Sequence, residues 1–165
     1  MIVGGGQAGL ATSYFLTQHG REHVVLEQAA RPAPVWSEQR WDSFTLVTPN
    51  WTVRMPGAEY DGPDREGFMP RDEVVAYFER YVDRFRLPIR YNARVRAIEP
   101  MDGGGIRVIT PEQTFAARNV VVATGFEQSP RIPPFAAAVS PDVTQLHSSQ
   151  YRRPEALPEG AVLVV

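Results

Sequence analysis

The sequence predicts an α/β fold, and three features near its amino end lead to that prediction. Residues 1–3 have the apolar character of a strand cut short, and a run of glycines follows them. Residues 7 to about 19 are predicted to form a helix with an apolar face made by Ala8, Ala11, Phe15 and Leu16. Gly20 is placed to end this helix, and residues 23–27 then have the length and β-branched content of a strand.

A second helix and a further strand are predicted beyond a long irregular region. Residues 28–70 carry many prolines and all three tryptophans, and their aromatic content argues for order without regular structure. Arg71–Phe85 is predicted as an amphipathic helix whose apolar stripe is formed by Val74, Val75, Phe78, Tyr81, Val82 and Phe85. Pro88 prevents continuation of this helix, and residues 89–91 are expected to be a strand.

The remaining strands are predicted after residue 93. Three short antiparallel strands, separated by turns at 102–105 and 111–112, are expected at 94–99, 106–110 and 113–117. Residues 119–123 are predicted as a strand of buried type that ends in Thr124-Gly125. Residues 127–160 are again proline-rich and irregular, and residues 161–165 are predicted to be a last strand.

Composition argues against several classes of function. The 165 residues include 17 Lys and Arg against 19 Asp and Glu, without a basic stripe, so no nucleic-acid partner is expected. No apolar run approaches the roughly 20 residues of a membrane span and no signal peptide is recognisable, so the cytoplasm is the expected location. The absence of cysteine excludes disulfides and CxxC chemistry. No metal site is predicted, because His19 and His23 are not patterned with carboxylates.

The glycine-rich turn has the spacing of a dinucleotide-binding motif. Gly4, Gly6 and Gly9 occupy the three glycine positions of GxGxxG. The first glycine allows a tight turn, the second lets the backbone approach a pyrophosphate, and the third lets the helix pack near the strand. Phosphates would then lie at the helix amino terminus, where N–H groups and the helix dipole favour negative charge.

An acidic residue at the end of the second strand narrows the choice of dinucleotide. Glu27 follows Gly9 by 18 residues, where a carboxylate suits the ribose hydroxyls of adenosine. Such a carboxylate also disfavours a 2′-phosphate, so the residues by themselves predict FAD or NAD and leave that choice open. The strand before the motif, the helix after it and Glu27 together favour this interpretation over a solvated glycine turn.

Four stretches carry a more specific signal than the glycine motif does alone. They are VGGGQAGLATSYFL, VVLEQAARPAPVWSEQRWDSFTLVTPNW, FMPRDEVVAYFERY and NVVVATGFEQSPRIP. They resemble the amino-terminal part of class B flavin-dependent monooxygenases, which include flavin-containing, Baeyer–Villiger and indole-3-pyruvate monooxygenases. With flanking elements the resemblance spans nearly the whole chain. It implies a Rossmann-like FAD-binding domain of the two-dinucleotide-binding flavoprotein type, with the three antiparallel strands as an insertion.

The resemblance also implies which residues hold FAD. Residues assigned to the dinucleotide are Gly4, Gly6, Gln7, Ala8, Gly9, Glu27, Gln28 and, as a return contact, Ala123, Thr124 and Gly125. By the same resemblance Trp36, Arg40 and Trp41 would lie along the flavin, and the Val95 backbone near the adenine. Asn50 matches an asparagine near the reactive flavin carbon and is the one catalytic candidate. The alternatives are tryptophans that pin a long loop, a surface role for Arg40, and a turn role for Asn50 beside Pro49.

The resemblance predicts a division of the chain as well. His147, Ser148 and Tyr151 match a linker fingerprint of the family, although Pro141 and Val143 stand where a phenylalanine and a glycine are expected. Residues 1–145 would be the FAD-binding domain, 146–160 the linker, and 161–165 the first strand of an NADP-binding domain. The second glycine turn of that domain is not in the sequence, which we therefore expect to be truncated there.

The predicted function is that of an FAD-dependent NAD(P)H oxidoreductase of the flavin-containing monooxygenase type, present as its amino-terminal FAD-binding portion. NADPH and a small-molecule substrate are expected only in the full-length parent, so the chain alone is expected to be inactive and its status as an enzyme stays open. Two alternatives are a non-catalytic remnant and another two-dinucleotide flavoprotein reductase. The lack of CxxC argues against the second. The sequence leaves the oligomeric state open.

Overall fold

The computed structural model describes residues 1–125 and 129–165, and its amino end forms the predicted strand–helix–strand unit. The strands are β1, Ile2–Val3, and β2, Val25–Leu26, and the helix between them is α1, Gln7–Gln18. Gly20 follows the helix with φ +60°, a conformation that glycine adopts without strain. β2 is shorter than the predicted 23–27, because only two of its residues pair with neighbouring strands.

The buried face of α1 differs from the predicted one. Gly9, Leu10 and Ser13 are buried, whereas Ala8 is exposed and Phe15 is 53% exposed. The close contact of Gly9 with the chain leaving β1 sets the rotation of the helix, so small residues face the strand. Helical spacing alone identifies an apolar stripe but not the contact that orients it.

Residues 28–70, predicted to be irregular, contain short regular elements. They include a helix α2, Pro34–Glu38, and a hairpin of β3, Arg54–Met55, and β4, Ala58–Glu59. A single 3₁₀ turn spans Asn50–Thr52. Elements of two to five residues are too short to produce a detectable periodicity, which is why the sequence did not indicate them.

The second long helix, α3, Arg71–Phe85, has the bounds that the sequence predicted. Its buried residues are Val74, Val75, Tyr77, Phe78, Tyr81 and Val82, so Tyr77 joins the predicted stripe, whereas Phe85 of that stripe is only half-buried. The hydroxyls of Tyr77 and Tyr81 donate hydrogen bonds to the carbonyls of Ala58 and Pro56, so α3 anchors the hairpin. A strand β5, Ile89–Arg90, follows at the place predicted for 89–91.

Three antiparallel strands come next, with bounds slightly different from the predicted ones. They are β6, Ala97–Pro100, β7, Ile106–Ile109, and β8, Thr114–Ala117. Ile98, Val108 and Phe115 lie in register across the three strands. β6 begins later than residue 94 because Ala93 and Val95 pack against the parallel sheet instead.

The last strand, β9, Val121–Val122, completes a four-stranded parallel sheet with the order β5-β2-β1-β9. Alternate side chains of a strand point to opposite faces of the sheet, so here they pack against two different layers. Ile2 approaches α1 at Gly9, whereas Val3 and Leu26 pack with Val108 of the antiparallel sheet. The parallel sheet therefore lies between the helices and the antiparallel sheet.

Two predictions for the later part of the chain are wrong. β9 was expected to be of buried type, but Val121 is 39% and Val122 is 64% exposed, because β9 lies at the edge of the sheet. No strand forms at 161–165, where the side chains of Val162, Leu163, Val164 and Val165 are 69–88% exposed. A β-strand needs a partner strand for its backbone hydrogen bonds, and none of the described strands pairs with these residues.

None of the helices within residues 1–125 and 129–165 is both long enough and apolar enough to cross a bilayer.

Candidate functional site

The candidate site lies at one edge of the parallel sheet, where three strands end together. β1 is flanked by β2 on one side and by β9 on the other, and all three run in the same direction. The chain leaving β1 enters the glycine turn, the chain leaving β2 enters Glu27, and the chain leaving β9 enters Ala123. Such a point, where connections diverge to opposite sides, is where parallel α/β sheets bind their ligands.

The three glycines of the motif meet different surroundings in the turn. At Gly4, which has φ +107°, a Cβ would lie 2.4 Å from the carbonyl oxygen of Ala123. At Gly9 it would lie 1.9 Å from the carbonyl oxygen of Gly4, and only glycine fits there. At Gly6 a Cβ would meet no atom within 4 Å. Two glycines are therefore needed to form the turn, and the third borders open space.

The amino terminus of α1 is not capped by any side chain of its own. Gly6 is its cap residue, no side chain of the described residues caps this end by a hydrogen bond, and the first turn contains no acidic residue. Gln7 and Ala8, which begin the helix, are exposed. The open space at Gly6 and this uncapped helix end are the features that a pyrophosphate group requires, so the turn fits a dinucleotide.

Glu27 is buried and its carboxylate binds the glycine turn directly. Glu27 is only 4% exposed, and its Oε2 accepts a hydrogen bond of 2.6 Å from the Gly5 N–H. Its Oε1 accepts a second hydrogen bond, of 2.8 Å, from the Ala29 N–H. A carboxylate has about four acceptor positions, so ribose hydroxyls can still be accommodated. Gln28, the next residue, is exposed at the same sheet edge.

The segment after β9, in which the return contact is predicted, packs against the glycine turn. The Ala123 N–H donates to the Val3 carbonyl at 2.8 Å, and its own carbonyl lies beside Gly4. Gly125 has φ +75°, and Thr124 and Gly125 are exposed at the sheet edge. Residues 126–128 of the fourth matching stretch lie outside the described residues.

Trp36, Arg40 and Trp41 form an aromatic and cationic cluster with Phe44. The Arg40 guanidinium carbon lies 5.3 Å from the Trp36 ring centre and 5.7 Å from that of Phe44. Trp41 and Phe44 pack edge to face at 5.0 Å. The cluster is tied to the glycine turn because the Ala33 N–H, directly before α2, donates to the Gly5 carbonyl at 2.9 Å.

Asn50 is buried, and its side chain is engaged with two backbone groups. Its Nδ2 donates to the Asp64 carbonyl at 2.8 Å, and its Oδ1 accepts from the Met69 N–H at 2.6 Å. It is 3% exposed. These contacts hold the loop before α3 in place, in keeping with the turn role considered above.

The other predicted positions lie apart from the turn. Val95 is half-buried and packs with the apolar group that includes Val3, Leu26 and Val108 beneath β1 and β2. His147 Nδ1 lies 2.8 Å from the Ser149 hydroxyl, so the linker histidine has a local partner. Ser148 is exposed and Tyr151 is half-buried.

One titratable group beside the site has a shifted pKa. Burial raises the pKa of the Tyr91 phenol, and the negative charges of Asp83, Glu27 and Glu79 raise it further. Tyr91 therefore remains a neutral phenol in the neighbourhood of Glu27 far above neutral pH. The neutral phenol adds no negative charge near the Glu27 carboxylate.

Sequence reasoning missed three residues that organise the site. Gly5 stands at an unspecified position of the motif, yet a Cβ there would lie 3.0–3.2 Å from the Glu27 side chain. Ala33 adopts a left-handed conformation with φ +50° before α2. Arg152 donates to the carbonyls of Glu38 and Arg40, 114 and 112 positions earlier in the chain. A sequence motif could have drawn attention to Gly5, but nothing local indicates the other two.

Comparisons with known proteins agree with this architecture. The whole chain, residues 1–165, matches the family described as pyridine nucleotide-disulphide oxidoreductase. An uncharacterized CzcO-like oxidoreductase of Geobacillus kaustophilus is 40% identical over 165 residues, which are 100% of this chain and 47% of that protein. Indole-3-pyruvate monooxygenase YUCCA1 of Oryza sativa subsp. japonica is 30% identical over 168 residues, which cover 100% of this chain and 41% of that protein.

A solved structure has a similar fold. The flavin-containing monooxygenase of Stenotrophomonas maltophilia superposes with a TM-score of 0.82 at 31% identity, over 93% of this chain and 46% of that one. The chain thus spans about half the length of the relatives it matches. The predicted resemblance to class B flavin-dependent monooxygenases is confirmed, and the chain belongs to the pyridine nucleotide-disulphide oxidoreductase family.

Proposed function

We propose that residues 1–165 form the FAD-binding portion of an FAD-dependent NAD(P)H oxidoreductase of the flavin-containing monooxygenase type. The observation that carries the proposal is the glycine turn at the meeting point of β1, β2 and β9, with the buried Glu27 carboxylate beside it. This arrangement suits an adenine dinucleotide whose ribose is unphosphorylated. Similarity to a flavin-containing monooxygenase favours FAD over NAD for it.

Most of the predicted residues would contact the cofactor directly. The open face of Gly6 and the start of α1 at Gln7 and Ala8 would receive the pyrophosphate. Glu27 would accept hydrogen bonds from the adenosine ribose, and the Val95 backbone would contact the adenine. The backbone of Ala123 and Thr124 lies next to Gly4, and with Gly125 these residues would close the site from the β9 side.

The isoalloxazine end would lie toward the cluster of Trp36, Arg40 and Trp41. When bound, FAD would supply the redox chemistry, accepting a hydride and activating oxygen, while the protein orients it and shields it from water. Aromatic rings and a guanidinium suit contact with a planar aromatic ring system. Asn50 is proposed to act near the reactive part of the flavin by holding its loop, since both ends of its amide bind backbone groups.

The proposed domain organisation follows the resemblance. Residues 1–145 would be the FAD-binding domain, with β6–β8 as the insertion typical of two-dinucleotide-binding flavoproteins, and residues 146–160 a linker. NADPH and a small-molecule substrate would bind in parts of the parent enzyme that lie outside this sequence. The chain by itself would then bind FAD without turnover, and the cytoplasm is the proposed location.

A flavin-retention experiment tests the proposal. The purified chain is incubated with FAD, passed through a gel-filtration column and examined for the flavin absorption band that travels with the protein. We expect the unsubstituted chain to retain flavin. The Gly6→Val variant should not retain it, because a branched side chain would occupy the open face of the turn. The proposal would be contradicted if the unsubstituted chain is folded, as judged by circular dichroism, but retains no flavin.

A second titration separates the two dinucleotides. The same chain is titrated with NAD in place of FAD, and the heat of binding is measured in both cases. We expect FAD to bind more tightly than NAD. Binding of NAD alone would instead assign the turn to an NAD-dependent enzyme. Gly6→Val serves as the matched control in both titrations, since it removes either ligand from the turn.

A further inference from the structure

The side chain of Arg152 connects two parts of the chain that are far apart in sequence. Its Nη2 donates to the carbonyl of Glu38, the last residue of α2, and its Nη1 lies 3.4 Å from the carbonyl oxygen of Arg40. The same Nη1 donates to the carbonyls of Ser149 at 3.0 Å and Tyr151 at 3.2 Å. The guanidinium thus joins the 147–152 loop to the end of α2.

The backbone reinforces this connection. The Asp42 N–H donates to the Arg152 carbonyl at 2.8 Å, so the segment after α2 is bound by both the side chain and the main chain of Arg152. The final carbonyls of a helix lack partners within it, and a forked cation can satisfy several of them at once. Arg152 is half-buried, which strengthens hydrogen bonds to its charged group.

The other end of α2 is bound to the glycine turn. The Ala33 N–H donates to the Gly5 carbonyl, and Pro34 begins the helix immediately afterwards. α2 therefore extends from the glycine turn to the 147–152 loop, with Trp36 on it. Arg40 and Trp41, which complete the aromatic cluster, belong to the segment that Arg152 holds.

We propose that Arg152 is a positioning residue that holds α2 and the cluster of Trp36, Arg40 and Trp41 in the orientation needed to receive the flavin. The relevance to the flavin rests on the proposed function. The mechanical part of the proposal, which is that Arg152 holds residues 38–42 in place, rests only on the contacts described. Through Arg152, displacement of the 147–152 loop would displace the cofactor-facing cluster, so the two move together.

Amide hydrogen exchange without cofactor tests the mechanical part. In Arg152→Ala, the Asp42 amide should exchange at least about ten-fold faster, the equivalent of losing one hydrogen bond to a charged group. The Leu46 amide, bound to the Met69 carbonyl at 2.9 Å, should keep its rate and serves as the internal reference. Arg153→Ala, at the exposed neighbouring arginine, is the matched control and should change neither amide.

Two outcomes would overturn the mechanical part. An unchanged Asp42 rate in Arg152→Ala would show that the guanidinium does not hold this segment. Equal acceleration at Asp42 and Leu46 would show an effect on overall stability instead of on position. If Arg152→Ala fails to fold, Arg152→Lys decides, because lysine keeps the charge but not the fork. Faster exchange confined to Asp42 supports the proposal, and a parental rate contradicts it.

FAD titration of the same variants tests the link to the cofactor. Arg152→Ala should bind FAD about ten-fold more weakly than the parent chain, with an altered visible spectrum of the bound flavin, while Arg153→Ala should match the parent. Parental FAD affinity and spectrum in a variant whose Asp42 amide is released would refute a role in positioning the cofactor. Failure of the parent chain to bind FAD would instead refute the proposed function, and the exchange result would still stand by itself.

Discussion

The Oε2 atom of Glu27 accepts a 2.6 Å hydrogen bond from the Gly5 N–H, joining the end of β2 to the glycine turn that follows β1. The bond is buried and links residues 22 positions apart. Because Gly5 also accepts a hydrogen bond from the Ala33 N–H, the turn is held from two sides. Glu27 is thus a structural partner of the turn in addition to its proposed role toward the ribose.

Replacing Glu27 should therefore lower stability even without a cofactor. Glu27→Ala leaves the Gly5 N–H buried without its carboxylate partner, and we expect a loss of about 1–3 kcal/mol in the free energy of unfolding. Glu27→Gln keeps one acceptor oxygen and should lose less. Urea denaturation of the cofactor-free chains measures the difference, and equal stability of all three would show that the bond contributes nothing.

Gly6→Val should separate cofactor binding from folding. A Cβ at Gly6 meets no atom within 4 Å, and the φ of −83° is allowed to any residue, so the variant should fold with a nearly parental thermal midpoint. It should nevertheless bind no FAD, which isothermal calorimetry can measure. Undiminished FAD affinity would show that the pyrophosphate does not approach Gly6.

Gly9→Ala, unlike Gly6→Val, should lower the stability of the fold itself. Its Cβ would lie 1.9 Å from the Gly4 carbonyl oxygen, so α1 must move away from the turn. Overpacking of this kind costs about 1–3 kcal/mol, and we expect a lower unfolding midpoint in denaturant whether or not FAD is present. A midpoint equal to that of the parent would mean that the helix can shift at no cost.

Asn50→Ala should destabilise the chain even in the absence of a cofactor. The substitution leaves the buried Met69 N–H and the Asp64 carbonyl without the amide that now binds them. The expected loss is about 1–3 kcal/mol in the free energy of unfolding, measured in urea without FAD. Thr52→Ala, which removes the hydroxyl contact to the Pro49 carbonyl in the same turn, is a useful comparison. Parental stability of Asn50→Ala would favour a purely catalytic role.

Stability should decline at alkaline pH because of two buried tyrosines on α3. Burial raises the pKa of Tyr77 and of Tyr81 above the value of about 10 that tyrosine has in the unfolded chain. The folded state then binds more protons than the unfolded state above pH ~10, so the free energy of unfolding falls as pH rises further. Below that pH these groups contribute no slope.

Denaturation between pH 9 and 11.5, with tyrosinate absorbance recorded in parallel, measures this effect. Tyr81→Phe should reduce the slope of stability against pH, although it also removes the hydrogen bond to the Pro56 carbonyl. Tyr60→Phe, at a tyrosine that is only half-buried, provides the comparison. A slope that Tyr81→Phe leaves unaltered would exclude this group as its source.

Much of the fold could be predicted because its signals are local. The bounds of α3 and the length of α1 follow from apolar spacing and from the residues that end each helix, which act over a few positions. The glycine turn was predictable for the same reason, since Gly4 and Gly9 satisfy steric demands within a single turn. Glu27 lies beside that turn because β1 and β2 are parallel neighbours in the sheet.

Other features depended on partners that are distant in sequence. The predicted strand at 161–165 is not formed and β9 is exposed, because burial and pairing depend on which strands lie alongside. The rotation of α1, with Leu10 and Ser13 inward, was set by its contact with β1. Periodicity identifies an apolar face but carries no information about the neighbour that covers it.

The sequence by itself determined the α/β class, the dinucleotide turn and the family resemblance, since these depend on residue types at short, definite spacings. Only the tertiary structure decided that Glu27 holds Gly5, that Ala33 joins α2 to the turn, and that Arg152 binds the carbonyls at the far end of α2. The physical reason is that these are hydrogen bonds to backbone groups of remote segments. Backbone groups are alike in every residue, so no side-chain pattern shows in advance which of them will meet.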